Sequence, residues 1–256
     1  MNRTLLFGEG LFETWRVYPG RKLPLVEEHL ERMSYGCLFF GWPFKKNQAK
    51  SVLNQTLQAI SANIHARLRL TLITHGQEKV ENTTFLAQWQ PLPTTISLLQ
   101  KQGVKLMLAP WTKCSNSPLH QFKTTCFLEN NLALKQARQQ GFYEALFLNE
   151  KGEITEGCIS NIFFVHKDPT TLVTPRLDAG LLPGITRDQI INILIQKGIR
   201  VKERPVFLEE IDCFKAAFLT NAIIEVMPII QIGNINYPIW QQCAWLRKLY
   251  RDAIGV

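Results

Sequence analysis

The chain has 256 residues, which exceeds the commonest size of a single domain, so one large or two modest domains are expected. Hydrophobic residues make up 46% and charged residues 20%, as in ordinary globular proteins, and no apolar run is long enough for a membrane helix. The net charge of +8 is dispersed without a dense basic run, which favours attraction of anionic small molecules over nucleic-acid binding.

Cysteine and histidine spacing, together with the first residues of the chain, indicates the class of site and the compartment. The six cysteines form no C-x-x-C pair and the five histidines show no H-E-x-x-H spacing, so we expect no metal site and no dithiol redox motif. The first ten residues lack the hydrophobic region of a secretory signal. We therefore expect a cytoplasmic protein with neither a membrane nor a nucleic-acid partner.

Hydrophobic periodicity in the first part of the chain predicts a small α+β domain. The stretch 109–121, with Pro110 and Pro118, follows neither the helical nor the strand period and is the candidate linker. The predicted elements before it are a strand over 11–18, helices over 26–40 and 48–60, and strands over 67–73, 84–89 and 104–108.

After the linker the pattern predicts a larger domain that mixes helices and strands. We therefore divide the chain into a small α+β domain over 1–109, a linker over 110–121 and a larger domain over 122–256. The predicted elements of the larger domain are a helix over 128–139, strands over 144–148, 161–165 and 171–174, a helix introduced by Pro183, strands over 200–204 and 216–219, and a final helix over 239–251.

Lys123 is a candidate nucleophile. Between residues 118 and 128 it is accompanied by no other charged residue except His120. An apolar site disfavours the ammonium form of a lysine, which helps the amine to form a Schiff base and later to act as a general base. Most lysines are solvated surface residues, so the position alone leaves both interpretations open.

Two further segments suit a cofactor that carries a phosphate and an aromatic ring. Ile185 and Thr186 open a predicted helix after Gly184, where free backbone N–H groups and the helix dipole attract a phosphate. Glu156 lies between strand-like runs, where its carboxylate could pair with a protonated ring nitrogen. An ordinary helix start and a turn glutamate are the alternatives.

Six segments, read in chain order, form a recognisable set. They are residues 7–13 (FGEGLFE), 29–33 (HLERM), Lys123 with 128–131 (LENN), 155–161 (TEGCISN), 182–187 (LPGITR) and 219–222 (LTNA). The set resembles the class IV pyridoxal-phosphate-dependent enzymes, which include branched-chain and D-amino acid aminotransferases and 4-amino-4-deoxychorismate lyase. The resemblance covers most of the chain. It implies a two-domain α+β/α/β fold of type IV, similar to D-amino acid aminotransferase, a pyridoxal 5′-phosphate cofactor and a homodimer.

The resemblance also implies roles for individual residues. Lys123 would carry the cofactor as a Schiff base and move the proton, and Glu156 would meet the pyridine nitrogen. Arg32 would bind the cofactor phosphate. Further phosphate contacts are implied for Ile185, Thr186 and the backbone N–H groups of Asn221 and Ala222.

The residues that hold the cofactor do not separate a lyase from a transaminase, because both reactions begin by removing a proton from the substrate carbon. Thr14 falls where the lyases carry a threonine that is implicated in the reaction, although a strand threonine is an equally good interpretation. The segment 219–228 also resembles the lyases more. Phe12 occupies a tyrosine position and His75 the place of a carboxylate-binding arginine in the D-amino acid enzymes, so both are candidate substrate contacts.

The favoured function is therefore the conversion of a small anionic amino substrate, 4-amino-4-deoxychorismate, to 4-aminobenzoate and pyruvate, a step of folate synthesis. The first alternative is an aminotransferase that acts on branched-chain or D-amino acids. The second alternative is a non-catalytic binding module of the same fold. Lys123 and Glu156 both argue against that module.

Overall fold

The computed structural model describes residues 1–168 and 170–256, which form two compact units. Unit 1 contains residues 1–93, 122–127 and 254–256. Unit 2 contains the described residues of 94–121 and 128–253. Each unit has its own sheet and its own hydrophobic core.

Unit 1 is built on a three-stranded antiparallel sheet in the order β1-β2-β3. Successive side chains of a strand point to opposite faces, so Trp15 and Leu70 enter the core together with Leu30 of a helix. Burying one such side chain stabilises the fold by about 1.5–3 kcal/mol. The elements are β1 (Gly10–Val17), β2 (Ala66–His75), β3 (Asn82–Pro91), α1 (Arg3–Phe7), α2 (Val26–Phe40) and α3 (Lys46–Gln58).

The register of β1 against β2 decides which residues share the face opposite the core. Residues 12, 14 and 16 of β1 alternate with the core residues, and their partners on β2 do the same. The directly opposed pairs on this face are Phe12 with Thr71, Thr14 with Arg69, and Arg16 with Arg67.

Unit 2 is built on a mixed sheet with the strand order β6-β5-β4-β11-β10-β7-β8-β9, in which β12 pairs with β11. Strands β7 and β8 are buried along their whole length, and the sequence of β7 contains a run of four apolar residues rather than an alternating pattern. The strands are β4 (Val104–Leu108), β5 (Glu144–Leu148), β6 (Ile154–Gly157), β7 (Asn161–Val165), β8 (Thr171–Pro175), β9 (Arg200–Arg204), β10 (Ala216–Asn221), β11 (Glu225–Ile232) and β12 (Ile235–Asn236); the helices are α4 (Thr95–Gln102), α5 (Leu128–Gln139), α6 (Ile185–Gln196) and α7 (Gln242–Ala253).

The predicted helices over 26–40 and 128–139 have the bounds of α2 and α5, since both carry a clear helical period. The sequence pattern does not predict α1, because this helix is too short to show a period; the Asn2 side chain caps it by accepting from the Leu5 N–H. The pattern also does not predict α4, β11 and β12, and it leaves the residues of β6 open between a strand and a turn. Across the described ranges, no helix is long and apolar enough to cross a membrane.

The compact units divide the chain at other places than the predicted linker. Strand β4, predicted to end the small domain, pairs in parallel with β5 and β11 and so belongs to unit 2. The segment 122–127 returns to unit 1, because Phe122 is buried in the core of that unit. The two domains predicted over 1–109 and 122–256 are therefore interleaved along the chain.

Candidate active site

Strand β1 positions Lys123 within unit 1. The Phe12 N–H donates to the Lys123 carbonyl at 2.8 Å, and the Thr125 N–H donates to the Gly10 carbonyl at 2.9 Å, so the lysine segment lies alongside β1. The half-buried Lys123 side chain places its Nζ 4.5 Å from the centroid of the Phe12 ring. Backbone bonds and the buried Phe122 thus hold the predicted nucleophile against Phe12.

Arg69 of β2 contacts the same aromatic ring. Its guanidinium carbon lies 3.6 Å from the Phe12 centroid, and its Nε donates to Thr71 Oγ1 at 3.2 Å. Burial, with repulsion from Arg67 as the smaller cause, lowers the pKa of Arg69. The sequence analysis did not single out Arg69. The only sequence signal is the alternation of Arg67 and Arg69 in a strand, which is also typical of a solvated strand face.

Arg32, the predicted phosphate ligand, forms a bidentate ion pair with Glu13. Its Nε and Nη2 donate to the two carboxylate oxygens at 2.8 and 2.6 Å, and His29 Nδ1 lies 2.6 Å from Oε2. Burial raises the pKa of Glu13, but Arg32 and His29 outweigh burial and bring that pKa to about 2. An ionised carboxylate only accepts hydrogen bonds, so His29 must donate from Nδ1. This triad fixes the orientation of the Arg32 guanidinium.

Glu156 of β6 belongs to a buried polar cluster in unit 2. Its Oε1 accepts a hydrogen bond from Lys113 Nζ at 2.8 Å, and its Oε2 accepts from the Leu182 N–H at 3.1 Å and from Asn161 Nδ2 at 3.3 Å. The Lys113 side chain is only 2% exposed. An ammonium partner compensates the charge of a buried carboxylate. The sequence analysis missed Lys113, which is 43 residues away from its partner.

The N-terminus of α6 lies beside the same cluster. Gly184 is the N-cap residue and supplies no side-chain hydrogen bond, so the first N–H groups of the helix, from Ile185 and Thr186 onward, lack a side-chain cap. A Cβ at Gly184 would overlap the Asn161 side chain, which also donates to the Leu182 carbonyl at 3.0 Å. Asn161 therefore links the Glu156 carboxylate to the start of α6.

The turn after β10 carries the third predicted phosphate segment. Asn221 Oδ1 accepts from the N–H groups of Ile223 and Ile224 at 2.8 and 2.9 Å, so the Asn221 side chain shapes the turn that contains Ala222. Thr220 Oγ1 is fully buried and finds no hydrogen-bond partner among the residues that the structure describes. A buried hydroxyl without a partner is unfavourable, and a polar group of a ligand would compensate this cost.

A family model described as amino-transferase class IV matches residues 10–232. The chain belongs to this family. Class IV enzymes depend on pyridoxal 5′-phosphate, so the predicted family, the two-domain fold of type IV and the cofactor are confirmed.

Three similar proteins are named for two different activities. The aminodeoxychorismate lyase of Bacillus subtilis is 30% identical over 247 residues, which cover 91% of this chain and 80% of the relative. A putative branched-chain-amino-acid aminotransferase of Methanocaldococcus jannaschii is 30% identical over 261 residues, covering 97% and 88%. The crystal structure of a putative 4-amino-4-deoxychorismate lyase from Legionella pneumophila has a TM-score of 0.87 at 28% identity and covers 98% of this chain and 93% of that chain.

The residues of this class IV chain fit the cofactor of the family. Unit 2 offers an anchored carboxylate at Glu156 for a ring nitrogen, together with an uncapped helix start and the unsatisfied Thr220 hydroxyl for a phosphate. Thr186, a predicted phosphate donor, is buried with its Oγ1 3.4 Å from Tyr250 Oη. Unit 1 offers the Lys123 amine.

Two predicted substrate residues lie at different places on the sheet of unit 1. Phe12 contacts Lys123, and Thr14 lies two residues further along the same face of β1. His75 is at the far end of β2, where its Nε2 lies 2.8 Å from Thr84 Oγ1. Six residues separate His75 from Arg69, a distance of about 20 Å along a strand. Arg69, rather than His75, is the cation of β2 that lies at Phe12.

Glu144 supports the loop that follows Glu156. Its carboxylate accepts from Ser160 Oγ at 2.7 Å and from the Ile159 N–H at 2.9 Å, and a Cβ at Gly157 would overlap it. Complete burial raises the pKa of Glu144 to about 7, against the lowering effect of these hydrogen bonds. The Glu144 carboxyl group therefore fixes the loop that joins Glu156 to Asn161.

Proposed function

We propose that this class IV enzyme is a lyase that converts 4-amino-4-deoxychorismate to 4-aminobenzoate and pyruvate. The observation that carries the proposal is the position of Thr14. Its half-buried side chain shares a face of β1 with Phe12, whose ring lies against Lys123. A hydroxyl on that face suits a reaction in which the bond between a ring carbon and an ether oxygen breaks, so that the oxygen leaves with the three-carbon fragment that becomes pyruvate.

The proposal assigns a step to each side chain. The bound cofactor supplies an aromatic ring that withdraws electrons from the substrate carbon next to the amine. Lys123 Nζ would hold the cofactor covalently and, once the substrate amine has displaced it, would take the proton from that carbon. Thr14 Oγ1 hydrogen-bonds the ether oxygen that departs with the three-carbon fragment.

The remaining residues hold the cofactor. Glu156 would accept a hydrogen bond from the protonated ring nitrogen, and the bond from Lys113 keeps that carboxylate in place. The family resemblance assigns the phosphate to Arg32 of unit 1, which Glu13 orients. In unit 2 it assigns phosphate contacts to the first N–H groups of α6 and the backbone N–H groups of Asn221 and Ala222, which would donate to the phosphate.

An aminotransferase acting on branched-chain amino acids is the second candidate. The similar protein from M. jannaschii, which covers nearly the whole chain, favours it. The apolar contact of Phe12 with Phe127, whose ring centroids are 5.5 Å apart, would also suit an aliphatic side chain. Lyase and aminotransferase share the first proton transfer. The lyase would then expel pyruvate as the ring of the substrate becomes aromatic, whereas the aminotransferase would leave the amino group on the cofactor and release a keto acid.

The deciding experiment supplies purified protein and pyridoxal phosphate with enzymatically generated 4-amino-4-deoxychorismate. Formation of 4-aminobenzoate and pyruvate in equal amounts supports the lyase. Loss of both products in Lys123→Ala, with retention in the control Lys101→Ala, which removes one exposed positive charge from α4, ties them to the assigned residue. Absence of both products, with transfer of the amino group from leucine to 2-oxoglutarate, would instead establish the aminotransferase.

The proposal includes a setting for the enzyme. We propose a cytoplasmic homodimer that acts in folate synthesis on a small anionic amino substrate. Light scattering during size-exclusion chromatography measures the mass directly. A mass of twice the 29.4 kDa of one chain is the expected result, and a single-chain mass in the active fraction would refute the dimer.

A further inference from the structure

Glu225 lies at the end of the turn that joins β10 to β11, the turn that contains Ala222. Its backbone takes a left-handed conformation with a φ of +56°, although it is not a glycine. Such a conformation is unfavourable for a residue with a side chain and persists where the surrounding structure fixes it. The Glu225 carboxylate is also fully buried. The structure around Glu225 must therefore hold both its backbone and its carboxylate.

Two helices hold Glu225. Arg251 of α7 donates from Nε and Nη2 to the two carboxylate oxygens at 2.8 and 2.7 Å, which is a bidentate ion pair. Gln100 of α4 donates from Nε2 to the Ile224 carbonyl at 2.8 Å and lies 3.5 Å from Glu225 Oε2. A bidentate pair fixes direction as well as distance. Helix α7 thus determines where this end of the turn lies.

Asn221 fixes the other end of the same turn. Its side-chain amide donates to the Ile159 carbonyl at 3.0 Å, and its Oδ1 accepts from the backbone of the turn. Only three residues lie between Asn221 and Glu225. The direction of the backbone N–H groups at Asn221 and Ala222 therefore depends on both ends of the turn.

Helix α7 also contacts the start of α6. Tyr250, the residue before Arg251, is buried, and its Oη lies 3.4 Å from Thr186 Oγ1 in the first turn of α6. One turn earlier in α7, Arg247 donates to the Val226 carbonyl of β11 at 2.9 Å. A single helix therefore contacts both segments of unit 2 to which a phosphate is assigned.

We infer that Tyr250 and Arg251, which we name the α7 anchor, are positioning residues for the cofactor phosphate. The α7 anchor keeps the turn after β10 and the start of α6 at the spacing at which their N–H groups can donate to one phosphate. Hydrogen bonds weaken when distance or angle departs from a narrow range, so a shift of either segment would weaken the phosphate contacts. The inference rests on the phosphate contacts of the proposed function and holds for a lyase and an aminotransferase alike.

The test compares pyridoxal phosphate with pyridoxal, the same ring compound without the phosphate. Full-length protein is stripped of cofactor, and absorbance titration measures the Kd of each compound. Arg251→Gln should weaken the binding of pyridoxal phosphate by about tenfold or more and leave that of pyridoxal unchanged, because only the phosphate contacts the displaced turn. Arg251→Lys should restore part of the affinity, because lysine keeps the charge but not the bidentate geometry.

The second residue of the α7 anchor is expected to have a smaller effect. Tyr250→Phe removes only a hydroxyl, and 3.4 Å is long for a hydrogen bond between two hydroxyls. It should therefore weaken pyridoxal-phosphate binding by about two- to threefold.

Phosphorus NMR of the loaded protein reports on the phosphate alone. A phosphate held by fixed donors should keep a constant chemical shift between about pH 6 and 8, the range in which a free phosphate monoester begins to lose its second proton. In Arg251→Gln the shift should become dependent on pH. A constant shift in this variant would contradict the inference.

Two further variants control for charge and for folding. Lys248→Gln removes an exposed positive charge from the same helix and should change neither affinity. Arg251→Gln leaves the buried Glu225 carboxylate without its guanidinium, which could impair folding. The double variant Glu225→Gln/Arg251→Gln removes both charges and should show the same selective loss of pyridoxal-phosphate affinity. Equal effects on pyridoxal and pyridoxal phosphate in this double variant, or no effect on either, would overturn the inference.

Gly184→Ala distinguishes failure of this inference from failure of the proposed function. Selective loss of pyridoxal-phosphate affinity in Gly184→Ala, with none in Arg251→Gln, would uphold the phosphate contacts of α6 and refute the α7 anchor. No loss in either variant would refute both. Selective loss in Arg251→Gln, from a wild type that forms no 4-aminobenzoate, would support the α7 anchor and refute the lyase.

Discussion

Replacing Glu144 by glutamine should remove a pH-dependent loss of stability. The pKa of Glu144 is about 7 in the folded protein, whereas a glutamate without these surroundings has a pKa of 4.5. A folded-state pKa above the unfolded value means that the neutral carboxyl stabilises the fold, and this stabilisation is lost as the pH rises from 4.5 through 7. At about 1.4 kcal/mol per pKa unit, the loss amounts to about 3 kcal/mol above pH 7.

Glutamine can keep the local geometry of the neutral acid. Its carbonyl accepts from the Ile159 N–H, and its amide donates to the Ser160 hydroxyl, which both donates and accepts hydrogen bonds. Glu144→Gln should therefore match the wild type near pH 5 and exceed its free energy of unfolding by up to about 3 kcal/mol at pH 8. The difference between the two proteins isolates Glu144 from other titrating groups.

The assay is urea unfolding of wild type and variant with saturating pyridoxal phosphate at pH 5, 6, 7 and 8. Glu28→Gln, which alters an exposed carboxylate of α2, is the matched control and should show a constant difference across the series. A stability difference between wild type and Glu144→Gln that stays constant from pH 5 to 8 would refute the reasoning.

Three other predictions concern the remaining parts of the site. Glu13→Gln should lower the free energy of unfolding by about 3 kcal/mol at pH 7. The stabilisation that comes from the depressed pKa of Glu13 is present above pH 4.5 and is lost as the pH falls toward 2. Urea unfolding at pH 7 and at pH 3 measures the difference between variant and wild type where this stabilisation is complete and where it is partly lost. Gly184→Ala should weaken pyridoxal-phosphate affinity at least about tenfold, because the added Cβ displaces Asn161. The control is Gly141→Ala, where a Cβ meets open space, and it should leave that affinity unchanged. A fluorescence titration measures both affinities. Thr14→Val should reduce kcat for the lyase reaction by about a hundredfold or more with unchanged cofactor affinity.

Each of these predictions has a contrary result. Equal stability of Glu13→Gln and wild type at pH 7 would show that the triad does not stabilise the fold. Unchanged cofactor affinity in Gly184→Ala would separate the start of α6 from the phosphate. Full lyase turnover by Thr14→Val would leave the hydroxyl without a role in expelling pyruvate.

The parts of the fold that the sequence predicted well are those with a strong local signal. Helix α2 combines apolar Leu30 and Met33 at helical spacing with Gly41, which takes a left-handed conformation at its end. Strand β6 was harder to predict from the sequence, because a segment of only four residues around Glu156 is equally compatible with a turn. Its extended conformation is fixed by pairing with β5, which lies earlier in the chain.

The residues of the candidate site likewise fall into those that the sequence indicated and those that it did not. The ordered segments pointed to Lys123 and Glu156 through their resemblance to a family. Local sequence gave no indication of the partners of Glu156 or of Arg32, because both ion pairs join residues that only folding brings together. Arg69 was missed for a related reason, since its contact with Phe12 depends on the register of β1 against β2.

The most direct test of the account is chemical labelling of the lysine that carries the cofactor. Protein loaded with pyridoxal phosphate is reduced with borohydride and digested, and the modified peptide is sequenced by mass spectrometry. We predict a pyridoxyl group on Lys123 and an unmodified Lys113, since Lys113 is buried against Glu156. Labelling of Lys113 or of a surface lysine instead of Lys123 would contradict the assignment on which the proposed mechanism depends.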